Sequence, residues 1–145
     1  MSQYILDSDV LTLFQHNHPA VVRRVRANYQ NIAITIVTAQ EQMRGRMAGV
    51  NRALQSYQTD KVVLAYNNLS ETLNDLKRLE IVDLNQEASD RYLELRQQKI
   101  RIGTLDLLIA CIVLSQNGIL VTRNRRDFAR VPGLIFEDWT VESGI

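Results

Sequence analysis

The sequence predicts an α/β domain built on a mainly parallel central sheet with helices on both faces. Two observations carry that prediction. Short β-branched and apolar runs alternate along the chain with longer stretches of helical periodicity, and strands joined by helix-length crossovers pair in parallel. One helical stretch, residues 102–114, is apolar on every side except for a single carboxylate, Asp106. A helix without a polar face belongs in the interior of a layered fold. At 13 residues it falls well short of the roughly 20 that cross a bilayer, so it is a core helix.

The elements follow in order. Tyr4-Ile5-Leu6 is a short apolar strand ended by the polar Asp7-Ser8-Asp9, and residues 10–14 continue as a helix capped by Ser8 or Asp9. After the break His16-Asn17-His18-Pro19, Val21, Val22, Val25 and Tyr29 stand at helical spacing over 20–29. Residues 32–37 are rich in β-branched side chains and read as a second, buried strand. Thr38 and Glu41 then have the spacing of a capping box, opening a helix to about residue 49 and giving Glu41 a structural role. Residues 51–79 carry Leu54, Tyr57, Leu64, Leu69, Leu73 and Leu76 in an amphipathic pattern, read as packing faces of one or two helices. Residues 81–84 form a third strand and 86–99 a helix with Ala88, Tyr92 and Leu95 inward. Past the core helix, Gly118 reads as a C-cap, 119–122 as a strand, 123–128 as the start of a short helix and 134–136 as a last strand.

Composition bounds the class. A chain of 145 residues with 46% hydrophobic and 23% charged residues is an ordinary globular domain, expected to be a single domain over 1–145. The one cysteine, Cys111, lies in the core helix and forms no disulfide within the chain. The start of the chain lacks a basic segment followed by a long apolar one, so a cytoplasmic location is expected. His16 and His18 have no Cys or further His to complete a zinc site. The net charge of +1 conceals arginine clusters at 23–26, 44–52 and 123–130, which suit either phosphate contacts or solvated faces.

Acidic residues fall where a parallel sheet binds ligands. Asp7, Glu41 and Asp127 each follow a predicted strand, and Asp106 sits in the first turn of the core helix. Such positions line the carboxyl edge of the sheet, at its topological switch point. Helix capping and the helix dipole account for any one of them. Four carboxylates converging there repel one another, however, and call for a cation. An all-oxygen set without His or Cys suits Mg²⁺ or Mn²⁺, with Asp9 as a candidate fifth donor.

These residues carry a resemblance. Ile5-Leu6-Asp7-Ser8-Asp9-Val10-Leu11, Thr38-Ala39-Gln40-Glu41 with Arg44-Gly45, Ile102-Gly103-Thr104-Leu105-Asp106-Leu107-Leu108, and Val121-Thr122-Arg123-Asn124-Arg125-Arg126-Asp127-Phe128, running on to Asp138-Trp139, together resemble the PIN-domain ribonucleases, in particular the VapC-type toxins of toxin-antitoxin pairs. The resemblance implies a three-layer PIN-like fold and metal-dependent hydrolysis of RNA, leaving 5′-phosphate and 3′-hydroxyl ends. It implies a metal site of Asp7, Glu41, Asp106 and Asp127, supported by Thr122 and Asn124. It implies a structured RNA substrate such as tRNA or ribosomal RNA, a homodimer, and an antitoxin partner presenting a basic side chain to the acids. Position 9 departs from the pattern, being Asp where the family more often has Asn. Arg44, Arg123, Arg125 and Arg126 stand close by in sequence as candidate backbone-phosphate contacts.

Two other classes share some of these features. A receiver-type phospho-acceptor also gathers acids at a sheet edge but needs a Lys after a later strand, and Lys61, Lys77 and Lys99 all fall in helical patterns. A catalytically silent PIN relative binding RNA or protein would keep the fold, and the four intact acids argue against it. Metal-dependent cleavage of short RNAs separates the readings.

Overall fold

The computed structural model describes residues 2–141; the single-domain expectation over 1–145 also takes in residues 1 and 142–145, which lie outside the described residues. Strand β1 (Tyr4–Leu6) leads to helices α1 (Ser8–Gln15) and α2 (Pro19–Ala27), and a 3₁₀ turn (Tyr29–Asn31) to β2 (Ile32–Thr35). Helices α3 (Ile36–Ser56) and α4 (Thr59–Lys77) precede β3 (Glu80–Val82). Then come α5 (Gln86–Gln97), α6 (Thr104–Ser115), β4 (Ile119–Val121), α7 (Arg125–Phe128) and β5 (Phe136–Glu137).

All five strands are parallel, in the order β3-β2-β1-β4-β5. The chain steps outward from β1 through β2 to β3, then returns to the other side of β1 for β4 and β5. The switch point therefore lies between β1 and β4, where Leu6 pairs with Val121.

Strand alternation distributes the core between two layers. Ile5, Ala33, Val82 and Leu120 pack with α5, α6 and Phe128, while Leu6, Ile32, Ile34 and Val121 pack with α1, α2, Leu76 and Trp139. Helix α6 is the centre of the first layer, with Leu107, Ile109, Ala110, Cys111, Ile112 and Val113 all fully buried. Burial pushes the Cys111 thiol up to about 11. No helix among the described residues is long and apolar enough to cross a membrane.

Three local expectations are corrected. Strand β2 ends at Thr35, because that residue is its last pairing with β3; Ile36 and Val37 already belong to α3. Thr35, not Thr38, is therefore the helix cap, its hydroxyl accepting from the Thr38 N–H at 3.1 Å. Asn117, with φ of 51°, takes the left-handed conformation after α6. Gly118 is needed for close approach instead, since a Cβ there would stand 3.2 Å from the Ile5 side chain and 3.3 Å from the Gln3 carbonyl oxygen. Lastly, α3 and α4 form a helical hairpin in which Leu54, Tyr57, Leu64 and Leu73 are exposed, so that part of the expected packing face meets solvent.

Candidate functional site

Asp7 is the first residue past β1. Its backbone N–H still belongs to the sheet, donating to the Val121 carbonyl at 3.0 Å, while its side chain caps α1 by accepting from the Val10 N–H at 2.8 Å. The helix cap is thus Asp7, and not Ser8 or Asp9, because the chain turns directly from strand into helix. The carboxylate is only 5% exposed and is hydrogen-bonded by Thr122, the fully buried first residue past β4. Burial raises its pKa to about 6 against the pull of the Thr122 and Val10 donors, and the negative charges of Asp9 and Asp106 add to the rise.

Asp106 lies in the first turn of α6, half-buried. Its carboxyl is also held above the ordinary range, first by burial and then by the charges of Glu41 and Asp127. The four sequence-nominated acids therefore form one electrostatic cluster across the switch point. Each of the outer two has a neutral donor. Ser8 Oγ lies 2.6 Å from Glu41 Oε1 and 3.1 Å from Thr38 Oγ1; a hydroxyl has one proton, and the carboxylate takes it. Asn124 caps α7, accepting from the Asp127 N–H at 3.3 Å and donating its amide to Asp127 Oδ2 at 3.0 Å. Asn124 is itself fixed, its N–H donating to the Thr122 hydroxyl at 3.0 Å. Glu41 stands in the second turn of α3, so the capping-box role expected for it is replaced by this link to α1.

Asp9 points elsewhere. Its two oxygens accept from Arg123 Nε at 2.6 Å and Nη2 at 3.1 Å. That pairs one candidate metal donor with one candidate RNA-binding arginine. Arg44, Arg125 and Arg126 are exposed on α3 and α7. Two residues gain contacts with the acids that the sequence reading did not give them: Ser8, read only as a helix cap though its position between two aspartates was the available signal, and Arg130, read only as part of the 123–130 cluster, which contacts Asp127 at 3.4 Å and the Arg101 carbonyl at 2.6 Å. A shallow groove of about 350 Å³ runs from Ser8 and Glu41 along α1 and α3, past Thr12, Gln15, His16 and Gln42.

The donor set fits a hard cation: oxygens only, with burial and neighbouring negative charge raising the carboxyls of Asp7 and Asp106. As the side chains lie, no three acids among the described residues stand close enough to hold an ion. Glu41 is held by a serine hydroxyl, and Asp127 by an asparagine amide and, at 3.4 Å, by Arg130.

Comparison with known proteins now decides the family, because the PIN domain profile matches residues 4–134. The chain belongs to the PIN domain family. Ribonuclease VapC2 of Rickettsia felis is 33% identical over 144 residues, covering 94% of this chain and 97% of its own. The tRNA(fMet)-specific endonuclease VapC of Shigella flexneri is 28% identical over 145 residues, covering 97% and 100%. In the crystal structure of a DNA-bound VapBC from Salmonella typhimurium, one chain matches with a TM-score of 0.76 at 26% identity, over 96% of this chain and 99% of its own. A VapBC2 structure from Rickettsia felis matches with a TM-score of 0.71 at 30% identity, over 94% and 98%. The resemblance to VapC-type PIN domains and the three-layer fold are thereby borne out, and the PIN fold accounts for the acids gathering where β1 and β4 part.

Proposed function

We propose that this PIN domain is a metal-dependent endoribonuclease, the toxin of a VapBC-type pair. The observation that carries the reading is the buried Asp7 carboxylate at the switch point, bonded by Thr122 and electrostatically coupled to Asp106, which is in turn coupled to Glu41 and Asp127. Burial of this kind raises the energy of the ionised acid until an opposite charge offsets it. The full-length similarity to VapC ribonucleases supports the same reading.

Asp7 and Asp106 would hold Mg²⁺ or Mn²⁺, with Glu41 and Asp127 completing the cluster. A divalent ion held there would supply Lewis acidity and activate water for attack at phosphorus. The chain's own contribution is positioning. Thr122 fixes the Asp7 carboxylate, Ser8 ties Glu41 to the first turn of α1, and Asn124 fixes Asp127. The exposed Arg44, Arg125 and Arg126 would meet backbone phosphates, which orient a substrate without reading its bases. RNA approaching along the α1–α3 groove would reach the acids past Ser8 and Glu41. Similarity to a tRNA(fMet)-specific endonuclease makes tRNA the first substrate class to try. Similarity to chains of VapBC complexes supports an antitoxin partner, and a basic side chain of that partner would neutralise the same acids.

The test is cleavage of tRNA and of short single-stranded RNAs by the purified chain with Mg²⁺, Mn²⁺ or chelator, beside Asp7→Asn. Cleavage that needs the metal and is lost in the variant is expected. Full cleavage in chelator sinks the metal mechanism, and no cleavage of any RNA with metal present sinks the enzyme assignment.

A further inference from the structure

The Asp9–Arg123 pair is a two-point contact at the acid edge that the cluster itself does not explain. It joins the first turn of α1 to the loop after β4 across 114 residues of sequence, by a two-point fork. Both side chains are about half exposed, 51% for Arg123 and 47% for Asp9. Exposed ion pairs add little to stability, so the fold has slight use for this one. Its geometry is informative instead. A guanidinium has five N–H donors in one plane, and Asp9 takes one from Nε and one from Nη2. Of the three that remain, one on Nη2 and one on Nη1 form the adjacent end-on edge of the plane, and the second on Nη1 points back toward the side-chain stem. Arg123 directly follows Thr122, whose hydroxyl bonds Asp7, and Asp9 stands two residues after Asp7, so the fork lies next to that carboxylate.

Building on the nuclease reading, we propose that Asp9 is a positioning residue and not a metal donor. It holds the Arg123 guanidinium flat beside Asp7, so that the free N–H edge binds a non-bridging oxygen of the RNA phosphate at the acids. Both Asp9 oxygens are engaged by one arginine, so binding a cation there would break the fork. The planar arginine suits an oxyanion presented in a fixed direction, and a carboxylate behind it removes the rotational freedom that a lone exposed arginine has. Aspartate at position 9 with arginine at 123 is in this view a matched pair, each residue useful only with the other.

A double-mutant cycle tests it, with Asp9→Ala, Asp9→Asn, Arg123→Ala and the Asp9→Ala/Arg123→Ala double variant. The readouts are kcat and KM on an RNA the wild type cleaves, and the rise in melting temperature produced by Mn²⁺ without RNA. Asp9→Ala is expected to lower kcat/KM about tenfold, the loss of one oriented charge-assisted contact. Arg123→Ala should lower it at least as far, and the double variant no further than Arg123→Ala. Asp9→Asn, which still accepts one bond from Nε, should recover most of the loss. The Mn²⁺-induced melting rise should be equal in Arg123→Ala and the double variant. If the double variant loses part of that rise relative to Arg123→Ala, Asp9 binds the metal and the proposal is overturned. Cleavage by Asp9→Ala at the wild-type rate overturns it also, while leaving the nuclease reading intact. A wild type that cleaves no RNA removes both.

Discussion

Ser8 Oγ lies 2.6 Å from Glu41 Oε1, a link that ties the first turn of α1 to the second turn of α3 at the mouth of the α1–α3 groove. Without it Glu41 would be a flexible side chain within reach of the Asp106 charge. Ser8→Ala removes the only donor found for that carboxylate among the described residues and should cost about 1 kcal/mol of stability. Cleavage should fall several-fold through a misplaced Glu41, and Ser8→Thr should restore it. Melting and single-turnover cleavage of the two variants measure this; equal behaviour of Ala and Thr at position 8 refutes it.

The raised Asp7 pKa sets a pH dependence with a definite sign. In the metal-free protein its carboxyl titrates at about 6, against an ordinary value of 3.8. Between these values the folded state binds the proton more tightly than the unfolded chain, so stability falls as pH rises through the window. At pH 7 the ionised Asp7 costs about 3 kcal/mol relative to the protonated form. Asp7→Asn should therefore be more stable than wild type at pH 7 in chelator, with the gap closing toward pH 4. A gap that stays constant with pH contradicts the assignment.

Metal should reverse that penalty. Added Mg²⁺ or Mn²⁺ is expected to raise the wild-type melting temperature by mass action, about 2.7 kcal/mol at a hundredfold excess over Kd. Asp7→Asn and Asp106→Asn should respond much less and lose cleavage by orders of magnitude. Because metal binding displaces the Asp7 proton, the melting response should weaken below pH 6. Variants that respond to metal and cut RNA like the wild type would overturn the carboxylate site.

Arg125 and Arg126 are exposed on the short helix that carries Asp127. Replacing both by alanine should leave melting unchanged and weaken RNA binding. If each meets a phosphate of single-stranded RNA, the slope of log affinity against log salt should fall by about 1.4. An unchanged slope would make them a solvated helix face.

Association is expected from the VapC likeness and has a physical counterpart in the α3–α4 hairpin, where Met47, Leu54, Tyr57, Val63, Leu64 and Tyr66 are exposed. Light scattering of the purified chain at tens of micromolar should report a dimer. A uniform monomer at that concentration refutes it.

The sequence by itself determined the layered α/β class, the central place of α6 and the acids worth examining, because these depend on local quantities: the period of apolar residues, β-branched runs and carboxylates just past strand ends. Where each element begins was less legible. Ile36 and Val37 continue a β-branched run, yet they open α3, since β2 ends where its pairing with β3 ends, at Thr35 and Val82. What only the tertiary structure decided is which distant residues meet. Ser8 with Glu41, Asp9 with Arg123 and Asp7 with Thr122 are pairings set by the strand order, which puts β2 and β4 on either side of β1 and turns the ends of all three toward one edge. No local periodicity encodes that order. It follows from burying both faces of one twisted sheet at once, and it gives Asp9, a candidate metal donor by sequence, an arginine partner.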